Sequence, residues 1–135
     1  MLPVVRRKRK MTYHLDTHII LWLYDKLEKK FSPKIKNLIN KNDLAISPIV
    51  RLELQYLKEI KRVNEEPDII IDYLAEKVGL VVEEVTFDTV IKLAMKLNWT
   101  RDPFDIIIVA TSQMRNCYLI TADQTILNNY EKATW

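Results

Sequence analysis

The spacing of apolar residues along the chain alternates between two periods, which predicts short β-strands separated by helices. Four stretches rich in β-branched residues predict strands, at residues 12–16, 44–47, 80–85 and 117–121, and the C-terminal KATW can add an edge strand. Seven stretches with helical spacing lie between or after them, at residues 17–27, 33–40, 48–63, 67–78, 86–98, 100–116 and 124–130. Strands that each lead into a helix predict a three-layer α/β fold, with helices flanking a mostly parallel sheet of four to five short strands.

Three residues mark predicted helix ends. Ser32 and Ser47 each precede a proline, the signal of a helix N-cap followed by proline at the first helical position. Gly79 follows residues 67–78 and is placed to end that helix. It is the one glycine in the sequence, so the glycine-rich phosphate loops of the common nucleotide-binding folds are excluded.

Length and composition predict one domain preceded by a basic arm. The 135 residues are 48% hydrophobic, enough to form one core, and all predicted elements lie within residues 12–135. The arm, residues 1–11, contains five consecutive Lys and Arg residues. A disordered tail, a true start at Met11 and a functional arm are each consistent with it.

Charge, apolar content and cysteine usage narrow the class of protein. The net charge of +3 does not by itself identify a nucleic-acid-binding protein. No apolar stretch is long enough to cross a membrane, and none follows the basic arm as a secretory signal requires. Cys117 is the one cysteine, which permits no internal disulfide and no cysteine zinc site. These features predict a cytoplasmic location.

Five acidic residues fall where the predicted fold brings its strand ends together. Asp16 ends the first strand, Asp123 follows the fourth, and Glu53 lies early in the helix after the second. Asp102 and Asp105 begin the helix that leads into the fourth strand. Because parallel strands with right-handed crossovers place their carboxyl ends at one edge of the sheet, we expect the five carboxylates to converge there.

Each of these acids also has an ordinary structural explanation. Asp102 suits a helix N-cap and Asp105 the third helical position, where both complement the helix dipole. Asp16 can cap the next helix, Glu53 can be a surface charge, and Asp123 can be a turn residue. The joint pattern favours a site, because neighbouring carboxylates raise each other's pKa and a divalent cation removes that conflict. Oxygen ligands without cysteine favour Mg²⁺ or Mn²⁺ over zinc.

Three stretches, LDTHIILWL, RDPFDIIIVATSQ and LITAD, resemble the motifs of PIN-domain ribonucleases, in particular the VapC-type toxins of toxin–antitoxin pairs. The resemblance runs from Thr12 to the C-terminus and is looser around Glu53, in SPIVRLELQYL. The sequence departs from the family at Ile106, where arginine is usual. The resemblance implies Mg²⁺-dependent cleavage of RNA, a homodimer, and inhibition by a small antitoxin protein.

The resemblance also implies a role for each acid. Asp16, Asp105 and Asp123 would contact the metal, directly or through water. Glu53 would orient the attacking water, and Asp102 would be either a further acid of the site or a helix cap alone. Such a set supports in-line attack of water on a phosphodiester with one or two metal ions.

Weaker candidates for contacting the substrate are three arginines and two threonines. Arg51 lies near Glu53, and Arg101 and Arg115 are candidates to replace the arginine absent at position 106. Thr17 and Thr121 lie beside Asp16 and Asp123 and could orient water, although capping or strand-end hydrogen bonding is the simpler explanation of a hydroxyl at each position.

Two further residues beside Asp16, His14 and His18, are interpreted as structural or surface residues, because nothing in their spacing predicts a metal ligand. A haloacid-dehalogenase-like phosphatase needs an acid at position 18, and a receiver domain needs a lysine after a late strand, so neither fits. A housekeeping RNA-processing nuclease and a non-catalytic PIN-like binding module stay open as alternatives.

An antitoxin helix would need an apolar groove, and two predicted helices offer apolar faces for one. These faces consist of Ile35, Leu38 and Ile39 on the first helix and Leu52, Tyr56 and Ile60 on the second.

Overall fold

The computed structural model describes residues 11–135, so the basic arm predicted over residues 1–11 lies, apart from Met11, outside the described residues. Five parallel strands form the central sheet: β1 Thr12–Leu15, β2 Asp43–Ile46, β3 Val81–Val82, β4 Tyr118–Ile120 and β5 Ala133–Thr134. Their order across the sheet is β3-β2-β1-β4-β5. This arrangement confirms the predicted parallel α/β fold, including the edge strand at the C-terminus.

Seven α-helices and one short 3₁₀ helix connect the strands in the described part of the chain. The helices are α1 Thr17–Tyr24, α2 Pro33–Lys41, α3 Ile49–Glu59, α4 Pro67–Val78, α5 Phe87–Ala94, α6 Pro103–Arg115 and α7 Gln124–Asn129, and the 3₁₀ helix is Glu28–Lys30. Among residues 11–135, no helix has both the length and the apolar character needed to cross a bilayer.

The predicted ends of α2 and α4 are formed by the expected capping interactions, whereas α3 begins one residue later than predicted, with Pro48 instead of Ser47 as its N-cap. The Ser32 hydroxyl accepts a hydrogen bond from the Ile35 amide at 3.2 Å, which caps α2. Gly79 ends α4 with φ of 71°, a left-handed conformation that glycine adopts without the steric cost a side chain would add. Asn116 ends α6 in the same left-handed region, with φ of 53°.

The core lies on both faces of the three central strands. Leu15 of β1 and Leu119 and Ile120 of β4 are completely buried. Each such aliphatic side chain contributes about 1.5–3 kcal/mol to folding through its removal from water. A smaller cluster forms where Val90 of α5 packs against Ala110 of α6. This packing holds α1 and α6 against the sheet, so their N-terminal residues are fixed at its carboxyl edge.

Several elements are shorter than the sequence predicts, among them α5, which is Phe87–Ala94, whereas the sequence predicts a helix over residues 86–98. The helix predicted over residues 48–63 ends at Glu59, because Lys61 takes a left-handed φ of 62° and the amide of Arg62 turns back to the carbonyl of Leu57. The strand predicted over residues 80–85 is Val81–Val82 alone. Beyond it one further amide, that of Glu83, donates to the sheet, and the chain then leaves the sheet edge.

The prediction of an apolar groove between the faces of α2 and α3 is wrong. Ile35 and Ile39 of α2 are buried in the core, so this face is already covered by the rest of the domain. Leu52, Tyr56 and Ile60 of α3, by contrast, are exposed by 57%, 47% and 42% of their surface. An open apolar face therefore exists on α3, without α2 as its second wall.

Candidate active site

The acids lie around the topological switch point of the sheet, where the direction in which the chain adds strands reverses. β1 is central, and the chain continues from it to β2 and β3 on one side, whereas β4 and β5 lie on the other. In open parallel sheets, ligands bind in the crevice outside the carboxyl ends of the strands at such a switch point. Asp16 directly follows β1, and Asp123 lies three residues beyond β4. The two therefore occupy the positions that this topology assigns to ligand binding.

Asp16 is a buried helix cap, with 5% of its surface exposed. One carboxylate oxygen accepts hydrogen bonds from the amides of His18 (3.0 Å) and Ile19 (3.2 Å), and the other accepts one from the Thr121 hydroxyl. Burial raises the pKa of Asp16, and the hydrogen bonds from Thr121 and the helix amides offset part of the rise. The carboxylate that the sequence predicts for the site is thus also the cap of α1.

Glu53 is also buried, in the second turn of α3. The Thr17 hydroxyl at the start of α1 donates a hydrogen bond to its carboxylate. Burial raises the pKa of Glu53, the bond from Thr17 lowers it, and the nearby charge of Asp102 raises it again. Glu53 is therefore not the surface charge that helix position alone would suggest, and it faces the same space as the other acids.

Asp102 and Asp105, which the sequence allowed to be either helix caps or acids of the site, differ in their surroundings. Asp102 is exposed and caps α6, accepting hydrogen bonds from the amides of Phe104 (2.9 Å) and Asp105 (3.3 Å). Asp105 lies one turn into the helix and points toward the other acids. Among the residues that the structure describes, none donates a hydrogen bond to its carboxylate. Asp105 is thus the acid whose oxygens are uncommitted.

The pKa of Asp105 is raised to about 7. Burial is the largest cause, and four neighbouring carboxylates add to it, in the order Asp102, Asp123, Glu53 and Asp16. Because each of the other four acids acts on Asp105 through its charge, all five share one region of the molecule. This proximity is consistent with the predicted convergence of the acids, and their role in a site stays a prediction.

Asp123 completes the set from the other side of the switch point. Its carboxylate caps α7 by accepting from the Ile126 amide at 3.0 Å, and its own amide donates to the Thr121 hydroxyl at 3.0 Å. Thr121 therefore contacts both strand-end aspartates. Thr17 and Thr121, which the sequence offered as candidates for contacting substrate, each use their hydroxyl to hold an acid in place.

The donor chemistry of this region suits a hard divalent cation. All five side chains offer carboxylate oxygens, the ligands that such cations prefer, and the charges of the other four acids add to burial in raising the pKa of Asp105. Between Met11 and Trp135, however, no three Asp, Glu, His or Cys side chains lie close enough together to hold one ion as they stand. Several of their oxygens are engaged in helix caps, so metal binding would require some of these side chains to change position.

The three candidate arginines occupy different places. Arg101 directly precedes Asp102 and is exposed. Arg51 is exposed on α3 and forms an ion pair with Asp68 at 3.2 Å. Arg115 is at the far end of α6, about 15 Å along the helix from Asp105, where it pairs with Glu83 at 3.2 Å. Arg115 is therefore separated from the acids, which leaves Arg101 as the arginine adjoining them.

The sequence interpretation missed two features beside β1. His18 is exposed and close enough that a charge on its ring acts on the carboxylates of Asp16 and Glu53. His14 is a buried residue of the central strand β1, with its Nε2 hydrogen-bonded to the Glu83 carboxylate at 3.0 Å and its Nδ1 to the Ser112 hydroxyl at 2.9 Å. The partners of His14 are 69 and 98 residues away, so local pattern could not reveal them.

Comparison with known proteins agrees with this fold. The PIN-domain family model matches residues 13–132. Among solved structures, the chain is similar to VapBC2 from Rickettsia felis bound to a DNA fragment from their promoter, with a TM-score of 0.63 and 21% identity over 87% of this chain and 92% of that one. It is also similar to VapBC-1 from nontypeable Haemophilus influenzae (TM-score 0.57, 22% identity, 87% and 94% covered).

A third similar structure is a toxin–antitoxin complex from Klebsiella pneumoniae, with a TM-score of 0.56 and 16% identity over 91% of this chain and 96% of that one. No curated protein matches the chain in sequence. At these identities the structural likeness shows the fold alone. The family model, in contrast, spans nearly all of the described residues, and with it the acids at the switch point. The protein therefore belongs to the PIN-domain family of nucleases.

Proposed function

We propose that the protein is a divalent-metal-dependent endoribonuclease and the toxin of a toxin–antitoxin pair. The observation that carries the nuclease assignment is the position of Asp105 among four other acids at the ligand-binding edge of the sheet, where their charges add to burial in raising its pKa to about 7. A fold that only needed a helix cap would use Asp102 alone, because capping requires one side chain. Concentrated negative charge at this edge is explained by a bound cation.

Asp16, Asp105 and Asp123 would hold Mg²⁺ or Mn²⁺. When bound, the ion neutralises phosphoryl oxygens, favours deprotonation of water and stabilises the leaving oxygen. Glu53 is suited to take a proton from the attacking water, because a carboxylate with a raised pKa is a stronger base at neutral pH. Asp102 adds negative charge next to Asp105 while it caps α6.

Thr17 and Thr121 act as positioning residues in this proposal. The Thr17 hydroxyl fixes the Glu53 carboxylate, and the Thr121 hydroxyl fixes that of Asp16. Both threonines are almost fully buried, so their hydroxyls have few other partners. Groups that hold a metal-binding or catalytic carboxylate typically change activity by about 10–100-fold when removed.

The proposed toxin role rests on the solved structures to which this fold is similar. Solved relatives of this fold are VapBC and toxin–antitoxin complexes. We propose that this chain likewise binds a small antitoxin and forms a homodimer in the cytoplasm, where a lone cysteine stays reduced. Leu52 of α3 and Ile69 of α4 support a protein interface, because they are 57% and 50% exposed and line one surface groove of about 610 Å³.

Cleavage of single-stranded RNA by the purified chain tests the nuclease assignment. Wild-type protein is expected to cut with Mg²⁺ or Mn²⁺ and to stop in EDTA, and Asp16→Asn and Asp105→Asn are expected to be inactive while folded. Asp72→Asn, which removes an exposed acid of α4, is the matched control and should cut normally. Cleavage that continues in EDTA, or that survives Asp105→Asn, would contradict the proposal.

Expression in a host without the antitoxin separates the toxin role from the alternatives. Growth arrest that Asp16→Ala relieves supports a toxin. Active nuclease that leaves growth unaffected would favour a housekeeping RNA-processing enzyme. Folded wild-type protein that neither cuts RNA nor gains thermal stability from Mg²⁺ would favour a non-catalytic PIN-like binding module.

A further inference from the structure

A lysine-rich segment follows α1 and continues through α2. Residues 26–41 contain six lysines and a single acid, Glu28. All six lysines, Lys26, Lys29, Lys30, Lys34, Lys36 and Lys41, are exposed, and in the described part of the chain none of them forms an ion pair with an acid. Basic side chains left unpaired on one surface attract a polyanion.

Three aromatic side chains meet beside these lysines. The Trp22 ring lies 5.6 Å from that of Trp135 and 6.3 Å from that of Phe31, and the Lys30 ammonium lies 5.2 Å from the Trp22 ring. Phe31 is buried, whereas Trp22 and Trp135 are partly exposed. Packing alone explains the buried ring. The two tryptophans keep free surface, which nucleobases can stack on.

A cavity of about 260 Å³ opens next to this cluster, between α1, the 3₁₀ helix and α2. Trp22 and Phe31 form its aromatic wall, and Lys26, Lys36 and Asn40 supply polar groups at its rim. Unstacked bases of single-stranded RNA are recognised by this combination of an aromatic face with nearby hydrogen-bonding and cationic side chains.

The cluster is continuous with the acid site. His18, which acts on Asp16 and Glu53, lies one helical turn before Trp22, with 6.5 Å between their ring centroids. Trp135 directly follows β5, so it lies at the same carboxyl edge as Asp16. Two strand spacings, about 10 Å, separate β5 from β1. A strand of RNA crossing this edge would span that distance within a few nucleotides.

We propose that the surface formed by Trp22, Trp135 and the lysines of residues 26–36 binds the single-stranded RNA that flanks the scissile phosphate. This inference rests on the proposed nuclease function and names the substrate-binding surface of that site. The lysines contact phosphates, and the tryptophans stack bases. The excess of positive charge favours RNA over an apolar protein helix as the occupant of this surface.

The test measures binding of a fluorescently labelled single-stranded RNA to full-length protein carrying Asp105→Asn, which holds the substrate uncut. In that background, one triple variant combines Lys30→Ala, Lys34→Ala and Lys36→Ala. A control triple variant combines Lys77→Ala, Lys92→Ala and Lys96→Ala, which removes the same charge from α4 and the region of α5. The first triple variant should weaken binding at least tenfold and reduce the salt dependence, the slope of log K against log salt, by about 2. The second should change only the weak nonspecific component.

The tryptophans are tested in the same assay. Trp135→Ala should weaken binding about tenfold or more through lost stacking, and Trp135→Phe should restore most of it because the ring is kept. Thermal unfolding is measured for each variant. The exposed lysine variants should melt like the parent, so they remain informative even if Trp135→Ala proves unstable.

The outcomes of this test separate the two proposals. If wild-type protein cuts RNA but both lysine variants bind equally, the surface assignment is wrong and the nuclease stands. If the lysine variant keeps its RNA affinity but loses binding to poly-glutamate, the surface belongs to an acidic protein partner and the inference is overturned. If the wild-type chain neither binds nor cuts RNA, both proposals fall.

Discussion

The Thr121 hydroxyl donates a hydrogen bond to the carboxylate of Asp16, although 105 residues separate the two in the chain. The bond joins the ends of β1 and β4, the two strands on either side of the switch point. A carboxylate as buried as Asp16 needs such a donor, because burial without hydrogen bonds strongly disfavours the ionised form.

Thr121→Val is expected to slow RNA cleavage about 10–100-fold, because it keeps the shape of the side chain and removes the hydroxyl that orients Asp16. It should also lower the free energy of unfolding by about 1–3 kcal/mol, since a buried acceptor loses its donor. Single-turnover cleavage and urea unfolding measure the two effects. Thr121→Ser should restore both, and Thr125→Val, at an exposed position of α7, is the control. Full activity of Thr121→Val would show that Asp16 needs no such support.

The capping role of Asp102 is separable from its charge. Asp102→Ala should lower the free energy of unfolding by about 1 kcal/mol, whereas Asp102→Asn should keep the cap and change it by only a few tenths. Urea unfolding of both variants measures this difference. If Asp102→Asn is as stable as the wild type but cuts RNA much more slowly, then Asp102 acts in the site as well as in the cap.

Asp105 should make the metal-free protein less stable as the pH rises. Its pKa is about 7 in the folded state against an ordinary 3.8, so the folded state holds the extra proton between these values. The resulting stability is complete below about pH 4 and is lost as the pH rises through 7. Allowing for solvent screening, the effect is about 1 kcal/mol. Asp105→Asn removes it.

Urea unfolding in EDTA, from pH 4 to pH 8, measures this effect as the difference between wild-type protein and Asp105→Asn. Asp72→Asn supplies the control for loss of an acid elsewhere. Added Mg²⁺ should stabilise the wild type above pH 7 and leave Asp105→Asn nearly unchanged. Parallel pH curves for the wild type and Asp105→Asn would contradict the raised pKa of Asp105.

His14 should have the opposite pH dependence. Burial is the main cause that lowers its pKa, and the hydrogen bond to Glu83 opposes the change only in part. The unfolded chain therefore takes up a proton more readily, and stability falls as the pH drops below about 6.5. Comparing His14→Leu with its parent in the Asp105→Asn background isolates the effect. The parent should lose stability between pH 7 and 5, and the loss should be smaller in His14→Leu.

The exposed groove between α3 and α4 should mediate self-association. Leu52→Lys combined with Ile69→Lys places two charges where a partner would bury apolar surface, and should convert a dimer to a monomer in sedimentation experiments. Met95→Lys changes a residue that is 79% exposed near the end of α5 and should leave the oligomeric state unchanged. A wild-type monomer at all concentrations would contradict the proposed homodimer.

Local sequence signals predicted most helices and strands, but they did not predict the hydrogen bonds between residues far apart in the chain. Ser32 and Gly79 mark helix ends through bonds within a few residues, so pattern alone located them. The switch-point acids followed from strand order, because parallel strands end at a common edge. The hydrogen bond from Thr17 to Glu53 spans 36 residues and depends on how α1 and α3 pack. No spacing rule encodes such a contact.

The early end of α3 was unpredictable for a related reason. Apolar residues continue at helical spacing through Ile60 and Val63, so periodicity alone extends the helix. The amides of Arg62 and Val63 instead both donate to the carbonyl of Leu57, which reverses the chain toward α4. Tertiary packing of α3 on α4 decides this boundary, and it overrides a propensity difference of a few tenths of a kcal/mol per residue.

Both edge strands of the sheet, Val81–Val82 and Ala133–Thr134, are only two residues long. A long unpaired edge strand offers free backbone hydrogen-bonding groups to which a strand of another chain can add, and repeated addition forms fibrils. A very short edge strand offers few such groups. The domain is consequently protected against growth by strand addition even at high expression.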